Sequence, residues 1–261
     1  MIKKKDKNKL ASLKTLANKI YESALTEAES LNQGEITESK IRAMAEIGRR
    51  IMFIWCLGNL LSEVINEVLI ASAEKLKIKA EEVSALIPPL KTPLFEAQAN
   101  LHGLKRKIVE GGYWEKLHQD PAKALIEIEQ DQDLHIAIED YSKKFGWTTV
   151  LNMVGEDPSV EQVIDQVLHL VDENKTKSKE LPADKDLIFL IEAASTIAYL
   201  RQSGVEYFSI YSRPAMKMFK RLAEQLDLAY EELLNLNLEE MIAGVKGTEL
   251  KSLASKRNND N

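Results

Sequence analysis

Residues 200–257 read LRQSGVEYFSIYSRPAMKMFKRLAEQLDLAYEELLNLNLEEMIAGVKGTELKSLASKR. Helical spacing places Arg201, Val205, Phe208 and Ser212 on one face, and Gly204, Tyr207 and Tyr211 on another. The whole stretch reads as one long helix, two short acidic helical turns, a Gly-flanked turn and a last basic helix. Pro214 has no N–H to give to the helix ladder, so a kink or a break is expected near Tyr211. Asn237 followed by Glu240 has the spacing of a capping box. The paired carboxylates Glu231, Glu232 and Glu239, Glu240 point about 100° apart. They therefore suit acidic first turns better than a shared proton or a clasped substrate.

The same grammar extends upstream. Only 11 Gly and 7 Pro interrupt 261 residues, which predicts few turns and long helices. Leu10, Leu13, Ala17, Ile20, Ala24 and Leu25 mark an amphipathic helix that ends near Asn32 and Gly34. A second begins near Thr37 and keeps its period through Ile41, Met44, Ile47, Ile51, Leu61, Ile65 and Val68. Gly48 and Gly58 lie inside it at a cost of roughly 1 kcal/mol each against Ala, which implies close helix contact or a bend. The apolar segment 51–72, IMFIWCLGNLLSEVINEVLIAS, is interrupted by Asn59, Ser62, Glu63, Asn66 and Glu67. It falls short of the ~20 uninterrupted apolar residues of a membrane span and reads as a core helix buried on most sides. Cys56 within it reads as a small buried apolar residue.

The Pro-rich IPPLKTP at 87–93 is the strongest break. A helix follows at about 93–109, stopped by Gly111 and Gly112. Asp120 before Pro121 and Asp157 before Pro158 are helix starts, with Asp as the cap and Pro in the first turn. Another helix covers 134–144, and TTVLNMV at 148–154 is the one candidate for extended chain. Polar ENKTKSKELPAD (173–184) is the best internal boundary, after which Asp184 caps a long helix. The expected fold is all-α, with long packed amphipathic helices. Its parts are an N-terminal helix (1–34), a helical core (35–173), a polar linker (174–183) and a C-terminal helical segment (184–261).

Hydrophobic residues make up 44% and charged residues 29%, as in an ordinary folded chain. The net charge is −6 and the isoelectric point about 5.5, which argues against a nucleic-acid partner. The single cysteine forbids an internal disulfide and fits a reducing compartment. No leader-like apolar segment follows the basic start Lys3 to Lys9, which reads as solvated. The expectation is a cytoplasmic chain with no membrane partner.

Reactive motifs are scarce. The glycines form no phosphate loop. His102, His118, His135 and His169 all sit in Leu-rich helical surroundings. Glu115 and His118 form one E-x-x-H, where a di-iron bundle needs two plus further Glu. No catalytic residue, no cofactor and no metal ligand is assigned. The most interesting cluster is Arg201, Tyr207, Tyr211 and Arg213, with Trp147 as an aromatic neighbour. It reads as a ligand or partner patch in which an Arg fork binds phosphate or carboxylate. The bland alternative is that the rings are core and the Arg heads solvated.

LNLEEMIAG at 236–244, with Lys256 and Arg257 beyond it, resembles the end of the helical middle region of phosphoenolpyruvate (PEP)-utilising phosphotransferases of the PEP synthase and pyruvate phosphate dikinase type. DLHIAIEDYSKKFGWTTV (133–150), GEDPSVEQVIDQVLHLV (155–171) and KTPLFEAQANLHGL (91–104) resemble further pieces of that region, in order. Arg201 is followed by Gln202 where the family often has Arg-Glu. In the family the next domain carries a phosphohistidine in a Gly-, Ser- and Thr-rich segment, which none of the four histidines here matches. The resemblance implies a non-catalytic scaffold or linker piece whose protein partners carry ATP-binding and phosphohistidine domains. Two other readings stay open: a module binding a small-molecule acceptor near Trp147, Tyr207 and Tyr211, and an unrelated helical protein–protein adaptor.

Overall fold

The structure, a computed structural model, describes residues 4–150, 153–170 and 184–253. The linker 174–183, the basic pair Lys256 and Arg257, and Leu151 and Asn152 lie outside the described residues. Among the described residues the fold is all-α, with eleven α-helices and no strand. They are α1 (Lys4–Leu31), α2 (Glu38–Lys75), α3 (Ala80–Val83), α4 (Pro93–Glu110), α5 (Tyr113–Gln119), α6 (Pro121–Gln130), α7 (Gln132–Phe145), α8 (Val160–Leu168), α9 (Lys185–Gln225), α10 (Tyr230–Leu234) and α11 (Leu238–Val245).

Side-chain caps fix many of the boundaries. Asp120, Asp131 and Asp184 each accept backbone N–H groups at the starts of α6, α7 and α9. Asn237 and Glu240 form the expected capping box on α11. Gly112, at φ +73°, lets the chain turn between α4 and α5.

The spine is the antiparallel pair α2 and α9. Gly48 lies against Tyr211, Trp55 against Gly204 and Gly58 against Arg201, so residue numbers rise on one helix as they fall on the other. The glycines set the approach. A Cβ on Gly58 would stand 2.7 Å from the Arg201 backbone nitrogen, and one on Gly204 would stand 2.7 Å from the Trp55 Cβ. Close contact, not a bend, accounts for Gly58 inside α2. α1 runs parallel to α9. The Tyr199 hydroxyl donates to Asn18 Oδ1 at 2.7 Å, and Tyr21 stacks on Tyr207 with ring centres 4.2 Å apart. The resulting three-helix core is closed at one end by α10 and α11.

A second core lies between α4, α5, α6, α7 and α8. A third, small one joins the end of α2 (Leu69, Ala73) to Val83 and Leu86 and to the start of α9 (Leu187, Ile191, Ala194). α9 links the units through three polar ties, at Glu206, Arg213 and, just past its end, Tyr230, whose hydroxyl donates to the Met153 carbonyl at 2.8 Å.

Four local expectations are corrected. The break expected at Pro214 does not occur, and α9 runs through it. Tertiary ties on both sides hold it: Tyr211 to the Met44 carbonyl, and Arg221, two turns past Pro214, to the Asn32 carbonyl. α8 starts after Ser159, not Asp157. Ser159 and Gln162 form the capping box, while Asp157 pairs with Arg213. Residues Gly146–Thr149 form a 3₁₀ turn, so Thr148 and Thr149 are not extended; among the described part of 148–154, Val150 is extended and Val154 forms an isolated β-bridge. Finally, α2 is not buried on most sides. α1 and α9 cover one side, and Cys56, expected inside, is exposed on the other.

Candidate functional site

The five residues of the expected patch do not converge. They spread around α9 and beyond it. Tyr211 faces α2, where it is buried and its hydroxyl donates to the Met44 carbonyl at 2.7 Å. Tyr207 faces α1 and is half-buried in the stack with Tyr21. Trp147 is buried in the second core. The Arg201 side chain is exposed, and its backbone forms the Gly58 crossing.

Arg213 and Trp147 do border one cleft, of about 850 Å³, between the end of α7 and the middle of α9. Lys143, Lys144, Asp157 and Lys217 share its walls. The Arg213 fork is already used. Nη1 donates to the Lys143 carbonyl at 2.9 Å and Nη2 pairs with Asp157. Lys143 pairs with Glu139 and Lys144 with Glu96. Before any ligand arrives, Arg213 ties α9 to α7 and to the segment before α8, Lys144 ties α7 to α4, and Lys143 pairs within α7.

The aromatic residues titrate as core groups. Burial pushes the Tyr21, Tyr141, Tyr207 and Tyr230 hydroxyls up to about 12, and that of Tyr211 higher still. Their unfolded value is near 10. A group whose folded pKa is raised contributes stability that is complete below its unfolded pKa and is lost as pH rises through the folded one. The melting temperature is therefore expected to hold up to about pH 10 as far as these groups set it, and to fall steeply between about 10 and 12. A thermal scan in buffers across that window checks this; a flat profile would mean that the rings are solvated.

Glu206 is a site residue that the sequence did not reveal. Its carboxylate is 3% exposed, and none of its hydrogen-bond donors among the described residues is a cation. It accepts from the Leu94 N–H at 2.8 Å, the Thr92 hydroxyl at 2.9 Å and Gln202 Nε2 at 2.8 Å. Thr92 occupies the N-cap of α4 but makes no cap bond of its own. The start of α4, with its positive helix dipole, is capped instead by a residue 112 positions away from Leu94.

The other feature missed is the open side of α2. Phe53 (68% exposed), Leu60 (73%) and Val64 (61%) stand out with Leu57, Leu61 and Val68 in one stripe. Their spacing of four, three, one, three and four residues keeps them on one helix face. Leu13 and Leu16 of α1 are also exposed, and with Ile20, Phe53 and Leu57 they line an apolar groove of about 740 Å³ between α1 and α2. By length and composition alone α2 is apolar enough to cross a membrane, but in the fold it is one wall of the spine. Its period was legible. Which of its two apolar sides faces the core was not.

His118 is exposed, with Nδ1 at 2.8 Å from the Trp114 carbonyl. Among the described residues no group of three His, Cys, Asp or Glu side chains is placed to hold a metal. The chain matches no family model, no curated protein and no solved structure.

Proposed function

We propose that this chain is a non-catalytic helical scaffold, and that the open apolar face of α2 and α1 is its assembly surface. The stripe at Phe53, Leu57, Leu60, Leu61, Val64 and Val68 carries this reading. Monomeric proteins seldom expose a contiguous apolar face of this extent, and such faces mark sites covered by another molecule. Rigidity supports it as well, since two glycine crossings and three polar ties fix both helical units to α9. In its finer form, drawn from the resemblance to the PEP synthase-type middle region, the assembly positions proteins that carry ATP-binding and phosphohistidine domains. The small-molecule reading is less favoured, because Tyr207 and Tyr211 pack against α1 and α2 rather than line a cavity.

Cys56 gives a direct test that does not require the partner to be known. It is exposed beside the stripe, one turn from both Leu60 and Phe53. Maleimide labelling of Cys56 in cell extract is expected to be at least about tenfold slower for the wild-type chain than for a Leu60→Asp, Val64→Asp variant. Equal rates would mean that nothing covers the face. For the finer form, co-expression with PEP synthase-type ATP-binding and phosphohistidine proteins of the same genome should give a co-eluting complex. ATP hydrolysis by the purified chain alone would contradict the scaffold reading.

A further inference from the structure

The charges that flank the stripe are sorted along it. Residues 51–62 carry none. The end toward the start of α2 carries Lys19, Arg49 and Arg50 against Glu46 and Glu27. The other end carries Glu63, Glu67 and Glu74, all exposed, against Lys75. A stripe that is basic at one end and acidic at the other is complementary to itself when turned end over end.

We infer that the occupant of this face is a second copy of the chain, related by a two-fold axis, with the two α2 helices antiparallel. The inference rests on the assembly-surface reading and names what covers it. An isologous contact needs a self-complementary patch, and this one has the seam for it. Phe53, Leu57, Leu60 and Val64 follow the 4-3-4 spacing of knobs packing into holes. Setting Phe53 level with Val64 of the second copy sets Leu57 level with Leu60 and Arg50 level with Glu67, because each pair sums to the same register. Arg49 then lies beside the same glutamate. Parallel pairing would instead bring Arg49 to Arg49 and Glu67 to Glu67, placing like charges together.

The size is sufficient. In this register the two patches overlap from Arg49 to Val68, about 28 Å at the α-helical rise, and with α1 alongside the contact is two helices, about 20 Å, wide. That is on the order of 600 Å² on each copy, the lower end of what a specific interface buries. Leu13 and Leu16 of both copies close the flanks, so the contact becomes a four-helix core of two α1 and two α2 helices.

Sedimentation equilibrium on the purified full-length chain from about 1 to 100 μM tests this. The expected species is a dimer, twice the 29.5 kDa chain mass. Leu60→Asp with Val64→Asp is expected to weaken it at least about 100-fold, since both side chains are central to the contact. These residues are exposed in the single chain, so the far-ultraviolet spectrum and the melting curve of the diluted monomer serve as the folding control. Arg49→Glu is expected to weaken the dimer by about tenfold, and adding Glu67→Arg to restore it, which only the antiparallel pairing provides. A chain monomeric throughout this range overturns the two-fold even if Cys56 is protected in extract, in which case another protein covers the face. A dimer indifferent to Leu60→Asp with Val64→Asp also overturns it. If that variant also leaves Cys56 labelling unchanged, the assembly surface itself falls.

Discussion

Gly58→Ala combined with Gly204→Ala is expected to lower the melting temperature by about 6–12 °C. Two effects oppose each other. Alanine inside a helix gains roughly 1 kcal/mol over glycine at each position. Against this, the new methyls would stand 2.7 Å from the Arg201 nitrogen and 2.9 Å from its Cα, and 2.7 Å from the Trp55 Cβ and 2.9 Å from its Cα. These atoms are backbone, or fixed directly to it, and no rotamer change relieves them. The helices must separate, and overpacking of this kind costs about 1–3 kcal/mol at each site, or more. Both sites belong to one crossing, so their costs couple. A net loss of about 3 kcal/mol gives the stated shift for a chain of this size. Gly103→Ala in α4 is the control. Nothing lies within 4 Å of its added methyl, so only the propensity gain remains and the protein should become slightly more stable. If the double variant and Gly103→Ala move in the same direction, close approach is not what selects glycine in the spine.

Glu206→Ala is the second large effect, expected to cost about 3–5 kcal/mol. The substitution strands the Leu94 N–H, the Thr92 hydroxyl and the Gln202 amide in a buried setting, and it leaves a void where the carboxylate was. Each unsatisfied buried group costs about 1–3 kcal/mol. The damage should be local at first. Amide hydrogen exchange at Leu94 and the first turn of α4 should quicken, while Leu187 to Ala194 at the far end of α9 keep their protection. Glu206→Gln should be intermediate, because the amide retains one acceptor oxygen. Unchanged exchange at Leu94 in the alanine variant would show that α4 does not depend on this cap.

The elements that could be read in the sequence are those whose cause is local. Asp120, Asp184 and the pair Asn237 and Glu240 cap the helices that follow them, and IPPLKTP ends what precedes it, because a cap or a proline acts within three or four residues. The readings that failed depend on distant partners. Asp157 has the local context of a cap, but Arg213, 56 residues on, takes it, and Ser159 caps α8 in its place. Pro214 should break a helix in isolation, but anchors at Tyr211 and Arg221 hold it. Arg201, Tyr207, Tyr211 and Arg213 are close in sequence and helical in period, so they looked like one patch. A helix of 41 residues meets different neighbours along its length: Tyr211 meets α2, Tyr207 meets α1, Arg213 meets the end of α7 and Asp157, and the Arg201 side chain meets solvent. For α2 the ambiguity is intrinsic. With apolar residues on both sides, periodicity locates the helix without orienting it, and so Cys56 was assigned to the wrong side.

The pairing of α2 with α9 also shapes how the chain is made. Tyr211 donates to Met44 across 167 residues of intervening chain. At translation speeds of about 5–20 residues per second, α2 leaves the ribosome roughly 10–30 s before its partner exists. Throughout that interval both the side destined for α9 and the side that stays open face solvent. Nascent chains of this protein should therefore lean on holding chaperones until the last third has been synthesised.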